Sequence, residues 1–258
     1  MFLLAALTCA LPQPSLATSI ISIRTPTSVV IGGDSKLIRG DGAPAGSVCK
    51  VRIVNSVAYA ESGILLIPSY RFAAADIVNG ALRGDGDLSS RVGAFDEAIT
   101  PQLIRIGTAL KRENPKEYER NVRNRTVFAI VFATSENRVP VMMLLSYVAT
   151  EQDDQVILNT TRYSCPGDCP TGTGWVTLGD SEAAQADIEA HPTIFSDLGL
   201  EAAVRHLIND EIADQPRTVG GPIDVAIIDS EGIRRSGSAG ACGQTRFAKA
   251  EVPERQDR

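Results

Sequence analysis

Three residues with side chains suited to nucleophilic chemistry stand at equal intervals near the start of the 258-residue chain: Thr18, Asp34 and Lys50, each sixteen positions after the one before. A threonine hydroxyl is a weak nucleophile until a neighbouring base takes its proton. The segment ahead of Thr18, MFLLAALTCALPQPSLA, has an apolar core from Phe2 to Leu11, breakers at Pro12 and Pro14, and the small residues Ser15 and Ala17 three and one before a cleavage point. It reads as a signal peptide cut after Ala17, or as a pro-segment, in residues 1–17. Cleavage there makes Thr18 the first residue of the mature chain. Its hydroxyl and a free α-amine, with a pKa of about 7.7–8.0, then sit on one residue, so nucleophile and base arrive together. Such a centre further needs a cation to favour the developing alkoxide, a carboxylate to hold the cation, and an N–H to receive the oxyanion.

The elements around these residues predict how they meet. Ser19 to Arg24 and Ser28 to Asp34 read as two strands of a hairpin around Thr25-Pro26-Thr27, which returns Asp34 to the level of Thr18. Lys50 opens a third strand to Val54, and Asn55-Ser56 turns it into a fourth, Val57 to Ser62. These four strands are expected in one sheet. Apolar spacing predicts helices over Tyr70 to Arg83 and from Leu88 to about Lys111, with Pro101 as a bend, followed by a charged, solvated connection from Arg112 to Arg125. Val127 to Ala133 and Val139 to Ala149 are apolar enough for core strands, and a polar strand follows near Val156 to Tyr163. Gly174 to Asp180 leads into a helix at Ser181, for which Ser181 is the expected N-cap. A helix from Gly199, ending by Pro216, and a buried strand from Pro222 to Asp229 complete the order. Strands and helices come in runs, which favours an α+β fold of two packed sheets with helices outside both over a doubly wound parallel sheet.

Composition narrows the partners. A net charge of -6 and no basic run argue against nucleic acid. No apolar stretch has the roughly 20 residues of a membrane-spanning helix, so no membrane is expected after processing. Loss of Cys9 with the leader leaves Cys49, Cys165, Cys169 and Cys242, an even number that favours disulfides in an exported chain over free thiols. Cys165 and Cys169 are spaced for a small loop, with Cys49 and Cys242 as the remaining pair. No cofactor is expected. The two histidines, His191 and His206, show no metal-ligand spacing in the sequence, so no metal is expected either.

The run Thr18-Ser-Ile-Ile-Ser-Ile-Arg-Thr25, with Val29-Val-Ile-Gly-Gly-Asp-Ser-Lys36 and Lys50, resembles the β-type subunits of the proteasome and their bacterial relatives, which are N-terminal nucleophile (Ntn) hydrolases. Those subunits carry a nucleophilic Thr, an Asp sixteen residues on and a Lys thirty-two on, and Lys36 matches a basic residue two after the Asp. The resemblance implies a four-layer αββα sandwich spanning residues 18–245, with residues 246–258 as a tail, and a threonine-type peptidase whose substrate is a peptide. Gly63, after Ser62, stands for the family's oxyanion glycine, one residue closer than usual. Leu178 to Ala184 looks like the family's helix entry, where the supporting serine aligns with Asp180, or with Ser181 after a slip of one. Where the family has a supporting Asp and Ser before the Gly220-Gly221 pair, this chain has Pro216 and Val219, with Asp214 and Thr218 close by but out of register. A small-substrate amidase on the same fold and an inactive scaffold or binding subunit stand as alternatives. The family works in stacked rings, which leaves self-assembly open. Export through the leader implies a periplasmic or secreted protein.

Overall fold

The computed structural model describes residues 18–38, 44–169 and 171–236. In chain order the elements are β1 (Ser19–Arg24), β2 (Ser28–Gly33), β3 (Lys36–Ile38), β4 (Pro44–Ser47), β5 (Val51–Val54), β6 (Val57–Gly63), β7 (Leu66–Ile67), β8 (Phe72–Ala73), α1 (Ala74–Leu82), α2 (Leu88–Glu113), α3 (Pro115–Asn121), β9 (Arg125–Glu136), β10 (Val139–Gln152), β11 (Gln155–Cys165), β12 (Gly174–Gly179), α4 (Glu182–Ala190), α5 (Ile194–Asp197), α6 (Leu200–Asp214), β13 (Asp224–Asp229) and β14 (Gly232–Ser236). The fold is α+β. One five-stranded antiparallel sheet has the order β12-β1-β2-β13-β14 and the other β11-β10-β9-β6-β5, with two small ribbons, β3-β4 and β7-β8.

Strand alternation assigns each face of the first sheet. Ile20 of β1, Val29 and Ile31 of β2, and Ala226 and Ile228 of β13 share a buried cluster with Ala58 and Ala60 of β6 and Ala129 and Val131 of β9, so this cluster draws on both sheets. The intervening Ile21, Ile23, Val30, Val225 and Ile227 pack instead with Ala184 and Ile188 of α4 and Val204, Leu207 and Ile208 of α6. The second sheet turns Tyr59, Phe128, Ile130, Phe132 and Leu145 toward α2. That helix answers with Leu88, Val92, Phe95, Ile99, Leu103, Ile106 and Leu110, spaced three or four apart on one face, and it runs through Pro101. Among the described residues no helix is long and apolar enough to cross a membrane.

Three sequence expectations are corrected. The two N-terminal hairpins do not share a sheet: β1-β2 pairs outward with β12 and β13, and β5-β6 joins β9. The reason is that both hairpins are apolar on two faces, so Val51 faces Ile20 and Ile31 across the shared cluster instead of extending their sheet. The expected solvated connection from Arg112 contains α3, which starts with Pro115 after the Asn114 side chain accepts from the Glu117 N–H, and which buries Tyr118; Val122 just beyond it is buried as well. The helix expected from Tyr70 begins at Ala74, preceded by a 3-10 turn over Pro68–Tyr70 and the strand β8.

Candidate active site

The β1-β2 register, Ile20 opposite Gly33, brings the residue after β2 beside the residue that opens β1. The Asp34 N–H donates to the Ser19 carbonyl at 3.1 Å, and the Ser19 N–H donates to Asp34 Oδ1 at 2.9 Å. The backbone one residue after Thr18 is therefore fastened to the Asp34 carboxylate. Lys50, directly before β5, reaches the same oxygen, with Nζ 2.6 Å from Oδ1. Asp34 Oδ2 accepts from the Lys36 and Gly220 N–H groups, each at 3.1 Å. Asp34 is fully buried, Lys50 is 5% exposed and Thr18 3% exposed. A carboxylate buried so deeply persists because four donors saturate its lone pairs.

On its other side Thr18 is held by β12. Ser19 pairs with Gly179, and the Thr18 carbonyl accepts the Asp180 N–H at 2.7 Å. Gly179 has φ +77°, and a Cβ there would lie 1.8 Å from the Thr18 carbonyl oxygen, so only glycine allows this approach. Asp180 carries a side chain into the same neighbourhood. Burial raises its pKa, while a hydrogen bond from the Thr218 hydroxyl and the nearby Lys50 charge oppose that rise. Burial lowers the pKa of the Lys50 ammonium, against the opposite pull of Asp34 and, at longer range, Asp180. The outcome is a buried cation with a weakened hold on its proton, anchored to one carboxylate and facing a second.

Asp34 and Lys50 thus meet beside the Thr18 backbone. Gly63 closes β6 opposite Phe128 of β9 and has φ +101°. A Cβ there would lie 2.4 Å from the Val127 carbonyl oxygen, so backbone geometry by itself requires this glycine. Ser181 stands at the N-cap position of α4, yet its side chain does not cap the helix; its Oγ accepts from Gln185 Nε2 at 3.0 Å. The cap comes from far along the chain: the buried Glu211 Oε1 accepts the Ala184 N–H at 2.7 Å. The Asp180 N–H bonds the Thr18 carbonyl, and Thr218, out of register in the sequence, comes near enough to the Asp180 carboxyl to hold its pKa down against burial.

A further acid went unmarked by spacing. Glu61, two residues before Gly63, is the only acid in the strand VAYAESG, and that break in an apolar run was its sole sequence signal. It is buried, one carboxylate oxygen lies 3.3 Å from Arg52, the other has no hydrogen-bond partner among the described residues, and burial pushes its pKa up to about 7 against the pull of Arg52.

Cys165 and Cys169 form a disulfide, with Cα atoms 5.2 Å apart. Cys49 is also disulfide-bonded; its expected partner Cys242 lies outside the described residues, as do Cys9 and the leader. No protein-family model matches the chain, and no curated protein is significantly similar to it.

Proposed function

We propose that the chain is a threonine-type Ntn hydrolase of amide or peptide bonds, built as an αββα sandwich and exported, with Thr18 as its mature N-terminus. The layer order is supported by the division of buried residues into one cluster common to both sheets and one between each sheet and its own helices. The observation that carries the chemistry is the buried Asp34–Lys50 pair fastened to the backbone beside Thr18.

The steps follow from those groups. Cutting Ala17-Thr18 frees the α-amine, which takes the proton of Thr18 Oγ as the oxygen attacks the substrate carbonyl carbon. The carbonyl π pair moves to oxygen, and the Gly63 N–H is the proposed donor to that oxyanion. Collapse breaks the C–N bond, the amine-borne proton goes to the leaving nitrogen, and an acyl ester remains on Thr18. Water, deprotonated by the same amine, then hydrolyses the ester. The Lys50 charge lowers the proton affinity of the α-amine and stabilises negative charge developing on Oγ, and Asp34 holds Lys50 in place. Asp180 and Thr218 take the supporting position that the resembled family gives to other residues, with Ser181, next to Asp180, as a further supporting candidate.

The experiment is mass spectrometry of the secreted chain, followed by labelling with a Thr-directed epoxyketone or β-lactone. A chain that starts at Thr18 and takes up one label, lost in Thr18→Ala, is expected. A mature chain that retains residues before Thr18, or a label that survives Thr18→Ala, refutes the mechanism. Pro216 and Val219 favour a second reading, an inactive scaffold, which predicts a chain beginning at Thr18 that takes up no label.

A further inference from the structure

The chain has two histidines, and the fold brings both to one carboxylate. His191 directly follows α4, four residues after Asp187, and Asp210 follows His206 by four along one face of α6. α4 packs on α6, tied there by the Glu211 cap, and the two pairs come together. His206 Nε2 lies 3.2 Å from Asp187 Oδ2 and 3.4 Å from Asp210 Oδ2, and the three ligand atoms all fall within 4.8 Å of one another. His191 Nδ1, 2.7 Å from Asp187 Oδ1, orients that carboxylate from behind. The Asp187 and Asp210 carboxylates thus flank a single imidazole nitrogen.

We propose that Asp187, His206 and Asp210 form a binding site for a divalent transition metal of the zinc type. Tetrahedral zinc with bonds of about 2.0–2.2 Å separates its ligand atoms by roughly 3.3–3.6 Å. Two of the three separations already stand close to that range, at 3.2 and 3.4 Å. An imidazole nitrogen with two carboxylates suits zinc, cobalt or nickel over magnesium or calcium, which take all-oxygen sets. The ligands are part-exposed, with His206 47% and Asp210 35% exposed at the side chain, so the ion enters directly from solvent and water completes its shell. The metal staples α4 to α6. α4 follows the turn in which Asp180 bonds Thr18, and α6 leads to Gly220, which bonds Asp34, so the staple braces both approaches to the candidate active site without entering it. The site does not depend on the hydrolase reading.

Isothermal titration of the chelator-stripped protein with zinc chloride, beside His206→Gln and Asp210→Asn, tests this. Expected are one zinc per chain, a Tm rise on the order of 5–10 °C at a hundredfold excess over Kd, no such rise with magnesium, and at least a tenfold affinity loss in each variant. Asp187→Asn replaces either variant that fails to match the metal-free wild type in circular dichroism. Absence of saturable one-to-one binding, or variants within tenfold of wild type, overturns the site and leaves the four residues as an ion-pair cluster only.

Discussion

Replacing Asp34 with asparagine keeps the shape of the side chain and removes its charge, which makes it a sharp probe of the buried pair. Both carboxylate oxygens accept from two donors each, Lys50 Nζ and the Ser19 N–H on one and the Lys36 and Gly220 N–H groups on the other. An asparagine must turn its NH2 group toward one of these donor pairs, whichever way it is oriented, and it takes from the Lys50 ammonium, 5% exposed, the carboxylate to which it is bonded. Breaking a buried ion pair from one side costs about 3–5 kcal/mol. For a chain of this length that is a Tm decrease of about 6–20 °C. Lys50→Met removes the stranded cation, so Asp34→Asn combined with Lys50→Met should be more stable than the sum of the single losses by about 1–3 kcal/mol. Urea unfolding followed by circular dichroism, with unchanged slope, measures all three variants. Asp34→Asn within about 1 kcal/mol of wild type, or single losses that add within about 0.5 kcal/mol, would refute the claim that this carboxylate holds Lys50 in a desolvated site.

Glu61 gives a pH signature. Its pKa rises from 4.5 to about 7 on folding, so the folded state binds the extra proton between those values, and the associated stability is complete below pH 4.5 and lost as pH rises through about 7. The loss is about 3 kcal/mol, and Glu61→Gln should abolish it when urea midpoints at pH 5 and pH 8 are compared; an equal drop in the variant contradicts the assignment. Glu211→Ala removes the cap on the Ala184 N–H and should cost about 1–2 kcal/mol or more, with faster hydrogen exchange at the first turn of α4, whereas Glu211→Gln keeps an acceptor there and should lose less. Exchange rates that stay at wild-type values in Glu211→Ala would assign the cap elsewhere.

Local periodicity made much of the frame legible. Alternation in SIISIR and SVVIGG, broken by Thr25-Pro26-Thr27, predicted the hairpin that brings Asp34 back beside Ser19, and Asn55-Ser56 predicted the turn between β5 and β6. The spacing from Leu88 to Leu110 predicted α2, because a helix buries every third or fourth residue whatever it packs against. The short spacing of Cys165 and Cys169, with an even number of cysteines after the leader, pointed to the small loop that their disulfide closes.

Other features arose only from elements that meet across long separations. Sheet membership was illegible since a strand apolar on both faces fits either sheet; pairing with β9 and β13, far along the chain, decided it. The N-cap rule named Ser181, but Glu211 of α6 won the helix end because packing of α6 on α4 brings a full carboxylate to those N–H groups. By itself the sequence determined the strand and helix periods and the equal spacing of Thr18, Asp34 and Lys50. Tertiary structure alone decided that the Asp180 N–H meets the Thr18 carbonyl and that His206 meets Asp187, since such contacts join separate elements and leave no period in the chain.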